Sequence, residues 1–231
     1  INPADVQAFA VISLGSEADV DKAVSAAKRA FESWSVTSRE QHVAALERLA
    51  DVYEARMQDM AKAISDEMGA PIGLALNAQA ASGAGHIRAF IETLRNYRFE
   101  APLDERNPQE RIVHEPIGVC GLITPWNWPM NQVTLKVVPA IAAGCTVVVK
   151  PSEIAPVSSI VFAEIMEEAG FPAGVFNMVN GDGPTVGEAM SRHPDIDMMS
   201  FTGSTRAGIA VARASAETIK RVALELGGKS P

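Results

Sequence analysis

The pattern of apolar positions is clearest in the middle of the chain, between residues 118 and 153. Two runs rich in valine and isoleucine, Gly118–Thr124 and Cys145–Val149, are bounded by glycine, proline and polar residues. Continuous apolar runs of this length are typical of strands buried on both faces of a parallel sheet. Between them, Gln132–Ala143 has apolar residues at helical spacing, and Gly144 follows where a C-terminal cap belongs. The sequence therefore predicts a strand–helix–strand unit.

Helical periodicity dominates the first hundred residues. Ser16 begins a Ser-x-x-Asp pattern close to a capping box and predicts the start of a first helix. Thr37 begins a Thr-x-x-Glu box, which predicts a longer helix that ends at Gly69. A third helix is predicted over Leu74–Arg98, where an Ala-Ser-Gly-Ala-Gly run favours close packing or a local break. The first residues, Ile1–Gly15, are predicted to form one or two edge strands.

Strand and helix signals alternate in the second half of the chain, after a polar stretch at 101–115 that predicts a loop and one short strand. The further strands are predicted at 175–179, 198–202 and 220–226, and the further helices at 157–169, 184–192 and 205–214. Together with the central unit, this makes about five strands alternating with four helices. That alternation predicts an α/β fold, a doubly wound, Rossmann-like parallel sheet with an N-terminal helical portion.

Composition excludes several classes of protein. The chain has 231 residues, 47% of them hydrophobic and 21% charged, with a net charge of -8, so neither nucleic acid nor an anionic membrane is an expected partner. Its longest apolar stretch, Val137–Val149, is shorter than the roughly 20 residues of a membrane span. Two cysteines make no disulfide framework and favour a reducing compartment, so we predict a cytoplasmic protein. A start at Ile1 without a signal peptide suggests that N-terminal residues are missing.

Candidate chemistry follows the two central strands directly. Pro-Trp-Asn-Trp-Pro at 125–129 follows the first, and Lys150, Ser152 and Glu153 follow the second. Ligands of open parallel sheets lie beyond the carboxyl ends of the strands, so these side chains are predicted to meet in one crevice. Asn127 in its rigid turn is either an amide donor for a developing oxyanion or a residue that shapes the turn. Glu153 is either a ligand of an adenosine ribose or simply the start of a helix.

Two glycine-rich runs are candidates for binding a pyrophosphate. Gly181–Gly187 is one residue away from the dinucleotide fingerprint, but a strand-to-helix turn that needs small residues explains it better than such a lone near-match. Gly203–Gly208 lacks the middle glycine of that fingerprint, but it follows a predicted strand and opens a predicted helix. Backbone N–H groups and a positive helix end therefore favour the second run.

Glu225 stands between apolar neighbours at the end of the last predicted strand. If it is buried, its pKa rises and it can act as a general base; the alternative is an ion-paired residue without a catalytic role. The four histidines are scattered, so no metal site is predicted. Cys120 and Cys145 lie in strand contexts where a thiol usually behaves as a small hydrophobic group.

Four motifs in this order resemble the NAD(P)-dependent aldehyde dehydrogenase superfamily: PWNWP, KPSE, FTGSTRAG at 201–208 and ALELGGKSP at 223–231. The resemblance runs through the whole chain but covers only the N-terminal half of such an enzyme. Members of the family carry their nucleophilic cysteine downstream of the ELGGK segment, and this chain stops at Pro231.

The resemblance implies roles for individual residues. The expected catalytic residues are Asn127, the oxyanion donor, Glu225, the base that activates the hydrolytic water, and Lys150, which lies beside the ribose-binding Glu153. NAD is the expected cofactor because a carboxylate repels a 2′-phosphate, although Lys150 and Ser152 leave NADP possible. The expected cofactor-binding residues are Thr124, Pro125, Trp126, Asn127, Lys150, Ser152, Glu153, Gly183, Phe201, Gly203, Ser204, Leu226 and Gly227.

The resemblance also implies an organisation and a reaction. Residues 1–100 are expected to be the helical part of the cofactor-binding domain, 101–116 part of an oligomerisation arm, 117–228 the Rossmann-like part, and 229–231 the start of a link to a catalytic domain. The expected reaction oxidises a small-molecule aldehyde to a carboxylic acid through a cysteine thiohemiacetal and a thioester, in a homodimer or homotetramer, and the 231 residues alone are expected to be inactive. A CoA-acylating semialdehyde dehydrogenase and a non-catalytic nucleotide-binding or structural protein on the same fold are the alternatives.

Overall fold

Strands and helices alternate in the computed structural model, which describes residues 1–107 and 109–228. The strands are β1 (Glu100–Pro102), β2 (Arg111–Val113), β3 (Val119–Ile123), β4 (Thr146–Lys150), β5 (Phe176–Met178), β6 (Met198–Gly203) and β7 (Arg221–Leu226). The α-helices are α1 (Glu17–Trp34), α2 (Arg39–Ala55), α3 (Met57–Met68), α4 (Ile72–Leu74), α5 (Ala81–Asn96), α6 (Pro129–Ala142), α7 (Val157–Glu168), α8 (Glu188–Arg192) and α9 (Thr205–Ala216). Two π-helical segments, Ala75–Ala80 and Gly183–Gly187, lead into α5 and α8. The link predicted at 229–231 lies outside the described residues.

The predicted doubly wound parallel sheet is confirmed, with the strand order β5-β4-β3-β6-β7. The chain adds β4 and β5 on one side of β3 and then returns to add β6 and β7 on the other side. The strand order therefore reverses between β3 and β6. In sheets of this kind, the crevice at such a switch point is where ligands bind.

Side chains alternate between two apolar layers along each strand, as the two-residue period of a strand requires. Cys120 and Leu122 of β3 pack with α2, α5, α6 and α7, whereas Val119 and Ile123 pack with residues of α1, α8 and α9. Both faces of β3 and β4 are buried, which explains their continuous apolar sequences.

The N-terminal helical portion is divided between these two layers. Helix α1 lies against β3, β4 and β5 on the same face as α8, so it is part of the winding of the sheet. Helices α2 and α5 instead cover α6 on the opposite face, and α3 packs on α7.

Several predicted boundaries in the helical portion were wrong. The second helix is capped by Ser38 and Gln41, because the Thr37 hydroxyl bonds back to the carbonyl of Trp34. That helix also breaks at Arg56, whose ψ of 16° leaves the helical range and separates α2 from α3. The third helix continues through its small residues without a break. A Cβ on Gly83 would lie 2.2 Å from the Tyr53 hydroxyl, so this glycine serves close packing.

The two ends of the N-terminal half also differ from prediction. Ile1–Gly15 forms no regular strand, and a backbone hydrogen bond of 2.7 Å from the Gly15 N–H to the Asn180 carbonyl ties it to the edge of the sheet. The stretch predicted as a loop and one strand is a hairpin, in which β1 and β2 pair antiparallel. An ion pair between Arg111 and Glu100, at 3.2 Å, joins these two strands. The partner of β2 was missed because β1 is short and contains a proline.

Candidate active site and cofactor crevice

The carboxyl ends of four neighbouring strands bring the predicted residues to one edge of the sheet. Ile123 at the end of β3 lies opposite Lys150 of β4 on one side and Phe201 of β6 on the other. Beyond it, Thr202 of β6 lies opposite Glu225 of β7. Because parallel strands all point their carboxyl ends to the same edge, the predicted residues share this edge of the sheet, but they do not all meet in one crevice.

A cavity of about 1240 Å³ lies at this edge and extends over the face of β3, β6 and β7 that α6 covers only in part. Eight of the predicted site residues line it, namely Pro125, Trp126, Asn127, Gly203, Ser204, Glu225, Leu226 and Gly227, and Thr202 lies beside them. Thr124, Lys150, Ser152, Glu153, Gly183 and Phe201 do not line it. The sheet divides the predicted set into two groups.

Asn127 lies on the exposed turn between β3 and α6. Trp128 occupies the N-cap position of α6 and Pro129 begins the helix, so the turn is fixed without the asparagine. The Asn127 amide makes no hydrogen bond to the described residues and lines the cavity. The Asn127 amide therefore does not cap the helix. Its N–H groups remain available as hydrogen-bond donors at the cavity, on a rigid turn.

Glu225 also lines the cavity and is exposed, so the burial that its apolar neighbours suggested is not found in the described residues. Edge strand β7 alternates between half-buried residues, such as Leu224, and exposed ones, and Glu225 belongs to the exposed set. The apolar neighbours that suggested burial lie on the opposite side of the strand or at its end.

Lys136 is a cavity residue that the sequence reasoning placed only among the packing positions of its helix. Its ammonium group donates a hydrogen bond of 2.8 Å to the Ser200 hydroxyl. Partial burial lowers the pKa of Lys136, and the nearby Glu225 carboxylate opposes that shift. The signal available in the sequence was a single lysine in the otherwise uncharged helix α6.

Lys150 is 3% exposed and lies on the other face of the sheet, away from Asn127 and Glu225. Its ammonium group donates to the carbonyls of Gly181, at 2.6 Å, and Pro151, at 3.0 Å, and to the Glu153 carboxylate at 3.3 Å. Three acceptors match the three N–H groups of a lysine. Burial lowers the pKa of Lys150, and Glu153 opposes that shift. The residue thus ties the loop after β4 to the loop after β5.

The glycine-rich run after β6 opens helix α9 as predicted. Ser204 is the N-cap, and its hydroxyl accepts a hydrogen bond of 3.3 Å from the Ala207 N–H. Phe201 is buried in the apolar layer beneath, where its ring contacts the backbone of Gly203 so closely that a Cβ there would lie 2.6 Å from it. Phe201 therefore supports the turn from below, and Gly203 is required by this packing.

Two other predicted glycines face open space. A Cβ built on Gly183 or on Gly227 meets no described atom within 4 Å. Gly227 directly follows β7, and Gly183 lies in the connection after β5. At both positions the absence of a side chain allows close approach of a ligand. Gly183 begins a π-helical segment, in which Asp182 accepts a hydrogen bond of 2.7 Å from the Thr185 N–H.

Cys120 and Cys145 are both buried and both line the inner end of the cavity. Cys145 precedes β4 and so lies at the amino end of the sheet, away from Asn127, as predicted. A hydrogen bond from the Cys120 thiol and two backbone N–H groups lower the pKa of Cys145. Sequence neighbours gave no sign of this effect, because the groups responsible come from the adjacent strand.

Within residues 1–107 and 109–228, no group of three histidine, cysteine, aspartate or glutamate side chains is arranged to hold a metal ion. In the same ranges, no helix has the length and apolar character needed to cross a membrane.

The amino-acid sequence matches the aldehyde dehydrogenase family over residues 1–231. A 3-succinoylsemialdehyde-pyridine dehydrogenase from a Pseudomonas species is 56% identical over 231 residues, which are all of this chain and 48% of that protein. A putative aldehyde dehydrogenase from Staphylococcus aureus is 46% identical over the same span, again 48% of its length. The chain thus spans about half the length of the curated relatives it matches.

Solved structures agree with this match. An aldehyde dehydrogenase from Bartonella henselae superposes with a TM-score of 0.98 at 57% identity, over 100% of this chain and 48% of the other. A cysteine-to-alanine variant of AldC from Pseudomonas syringae, in complex with NAD+ and octanal, has a TM-score of 0.97 at 53% identity and is covered to 47%. Betaine aldehyde dehydrogenase from Staphylococcus aureus, in complex with NAD+, has a TM-score of 0.95 at 36% identity and is covered to 46%. The chain belongs to the aldehyde dehydrogenase family.

Proposed function

We propose that the protein containing these residues oxidises an aldehyde to a carboxylic acid with NAD+ as hydride acceptor, NADP+ being the weaker cofactor. The observation that carries this proposal is the arrangement of Asn127, Lys136 and Glu225 around one cavity at the switch point of the sheet. An amide donor can stabilise the oxyanion formed from an aldehyde, and a carboxylate can activate the water that hydrolyses the thioester, while the thiolate and NAD+ come from outside this set.

Asn127 is proposed to stabilise the oxyanion that develops when a thiolate adds to the aldehyde carbon. Its amide makes no hydrogen bond to the described residues, and the Trp-Pro turn holds it at the rim of the cavity. A donor that is oriented before the reaction stabilises developing charge without further reorganisation.

Glu225 is proposed to activate the water that releases the acid from the thioester. It lines the same cavity as Asn127, and the Lys136 ammonium lies close enough for their charges to interact. The exposure of Glu225 is compatible with this role, because Glu225 lies on the face of the sheet that opens into the cavity.

The cofactor is proposed to lie along the crevice from Glu153 to Gly227. NAD+ supplies a site that accepts a hydride. The half-exposed carboxylate of Glu153 fits the hydroxyls of a ribose, the N-terminus of α9 fits a pyrophosphate, and the bare backbones at Gly183 and Gly227 leave space for close contact. Lys150 is proposed to hold Glu153 in place, since its three donors are already used within the protein.

The nucleophilic cysteine is proposed to lie outside these 231 residues, in a segment of the intact protein that corresponds to the unmatched part of the relatives. Cys145 lies at the amino end of the sheet, and Cys120 lies within β3 and is 3% exposed, whereas Asn127 follows the carboxyl end of β3. Residues 1–231 alone are therefore proposed to bind cofactor without oxidising aldehydes. The hairpin of β1 and β2, with its exposed residues, is proposed to pair with a second copy in a homodimer or homotetramer.

Steady-state and pre-steady-state assays of the intact protein test this function. With an aliphatic aldehyde and NAD+, we expect NADH and free acid in equal amounts, without coenzyme A. A strict requirement for coenzyme A would instead assign the protein to the acylating enzymes. The absence of aldehyde-dependent NADH formation across aliphatic and aromatic aldehydes would favour a non-catalytic nucleotide-binding protein.

A further inference from the structure

The loop between β4 and α7 carries Ser152 and Glu153, and the inference that follows rests on their proposed role at the cofactor ribose. The bonds within this loop are local: Ser152 accepts from the Ile154 N–H through its hydroxyl, at 3.3 Å, and from the Ala155 N–H through its carbonyl, at 3.2 Å. Neither bond ties the loop to another part of the fold. The position of Glu153 therefore depends on what anchors the two ends of the loop.

The first end is anchored by Lys150, as described above. The second end is the start of α7, which lacks a cap of its own. Its N-cap residue is Pro156, which has no side-chain acceptor for the first N–H groups of the helix. The first N–H groups of a helix have no partner within the helix, and a buried one is costly to leave without an acceptor.

Glu67 supplies the missing acceptor from a distant part of the chain. Its carboxylate accepts from the Val157 N–H at 2.5 Å and from the Ser158 N–H at 3.2 and 3.3 Å. Glu67 lies on α3, 90 residues before Val157, and is 4% exposed. Among the described residues it makes no ion pair with a lysine or arginine, so the helix end is its polar partner.

A carboxylate buried without a cation is unusual, because ionised groups are rarely buried without a partner of opposite charge. Here the burial raises the pKa of Glu67 to about 7, while the N–H groups of α7 favour the charged form. A serine or aspartate at position 156 would cap the helix locally, as in most helices. The cap comes instead from α3, which links the N-terminal helices to the start of α7.

We propose that Glu67 is a positioning residue for cofactor binding: by capping α7 from α3, it fixes the second end of the loop that presents Glu153. Glu67 does not touch the cofactor in this arrangement. Its effect passes through the first turn of α7 to the loop, which is exposed at Glu153 and Ile154 and so offers few other contacts that hold it. The adenosine half of NAD+ is the part of the cofactor whose binding then depends on Glu67.

Calorimetry on the intact protein tests this inference at about pH 8.5, where Glu67 is ionised. Glu67→Gln keeps the side-chain length but loses the charge. We expect Kd to rise about fivefold for NAD+ and by the same factor for AMP, the factor that corresponds to the loss of one helix cap. The kcat at saturating NAD+ and the KM for the aldehyde are expected to stay within twofold, because the cavity with Asn127 and Glu225 is untouched. Glu67→Asp, whose carboxylate is one methylene shorter, is expected to give a smaller rise.

Glu164→Gln is the matched control, since Glu164 lies on α7, the helix that Glu67 caps, and pairs with Arg56 at the surface. It is expected to leave the AMP affinity unchanged. If Glu67→Gln lowers the melting temperature but leaves the AMP affinity at the wild-type value, Glu67 is merely structural and the inference is wrong. If Glu67→Gln does not fold, the melting temperature and the AMP affinity of Glu67→Asp are measured instead, and a lowered melting temperature with wild-type AMP affinity again contradicts the inference. If Glu153→Gln also leaves AMP binding unchanged, the proposed ribose site fails, and the inference fails with it.

Discussion

The two faces of the central sheet differ in how completely this chain covers them. On the face of α1, α8 and α9, the strand residues Val148, Met199 and Phe201 are buried. On the other face, α6 and α7 cover β3 and β4, but the surface toward β7 opens into the cavity. The polar groups differ in the same way. Lys150 on the closed face has every donor used, whereas the Asn127 amide at the open one makes no hydrogen bond to the described residues.

This difference indicates a supporting role for Lys150 and a role in ligand binding or catalysis for Asn127. A buried and fully bonded lysine fixes two loops, because moving it would leave a charge without partners. A polar group at an open cavity keeps its bonding capacity for a ligand. Exposed apolar side chains at the open side, among them Trp126, Leu135 and Leu226, indicate a surface that a further part of the protein or a ligand covers.

The largest effect is expected for Glu225→Gln, which removes the proposed base of the open face. The variant should release a burst of about one NADH per site and then turn over roughly 10²–10⁴ times more slowly than the wild type. Stopped-flow absorbance at the NADH band measures both phases. Unimpaired steady-state turnover would remove Glu225 from the mechanism.

Asn127→Ala is expected to lower kcat by about 10²–10³, the usual loss for one oxyanion donor. Asn131→Ala is its control, because Asn131 lies one turn further on and its amide oxygen accepts a hydrogen bond of 2.8 Å from the His86 ring. Steady-state kinetics on both variants should separate them by at least tenfold. A loss of only a few-fold in Asn127→Ala would reduce Asn127 to a turn residue.

Glu67, a buried supporting residue between α3 and α7, can be tested by the dependence of stability on pH. Burial raises its pKa from 4.5 to about 7, so the folded state favours the protonated form. Relative to Glu67→Gln, the wild type is therefore expected to be most stable below about pH 4.5, and to lose about 3 kcal/mol as the pH rises through 7. Urea unfolding of both proteins at several pH values measures this difference. A pH-independent difference would show that Glu67 does not titrate in this range.

Glu153→Gln is expected to narrow the preference for NAD+ over NADP+ by roughly tenfold, since it removes the repulsion between a carboxylate and a 2′-phosphate. It also removes the carboxylate partner of Lys150, whose two carbonyl acceptors remain. Titration of each cofactor into the variant gives both affinities. A wild-type protein that binds NADP+ more tightly than NAD+ would contradict the assignment of Glu153.

The smallest effect is expected for the double change Cys120→Ala, Cys145→Ala in the intact protein, which should keep activity within a few-fold of wild type. Both thiols lie at the inner end of the cavity, and the lowered pKa of Cys145 arises from β3 and not from a catalytic base. An inactive single alanine variant would show that the nucleophile lies within these residues. Aldehyde oxidation by residues 1–231 alone would lead to the same conclusion.

The sheet and its strand ends were predictable because their signals are local. A strand buried on both faces has a continuous apolar sequence, as in β3 and β4, and a polar residue that follows it lies at the crevice whatever the rest of the fold does. The hairpin and the break at Arg56 were not predictable in this way. Pairing of β1 with β2 and the division between α2 and α3 depend on packing partners elsewhere in the chain.

The sequence by itself determined the parallel sheet, the turn that presents Asn127 and the loop that presents Glu153. Only the tertiary structure decided on which face of the sheet each group lies, that Glu225 is exposed, that Lys136 enters the cavity, and that Glu67 caps α7. The physical reason is that spacing along the chain defines local conformation and the edge at which a strand ends. Burial, pKa and hydrogen-bond partners depend instead on residues that are distant in the sequence and meet only when the chain has folded.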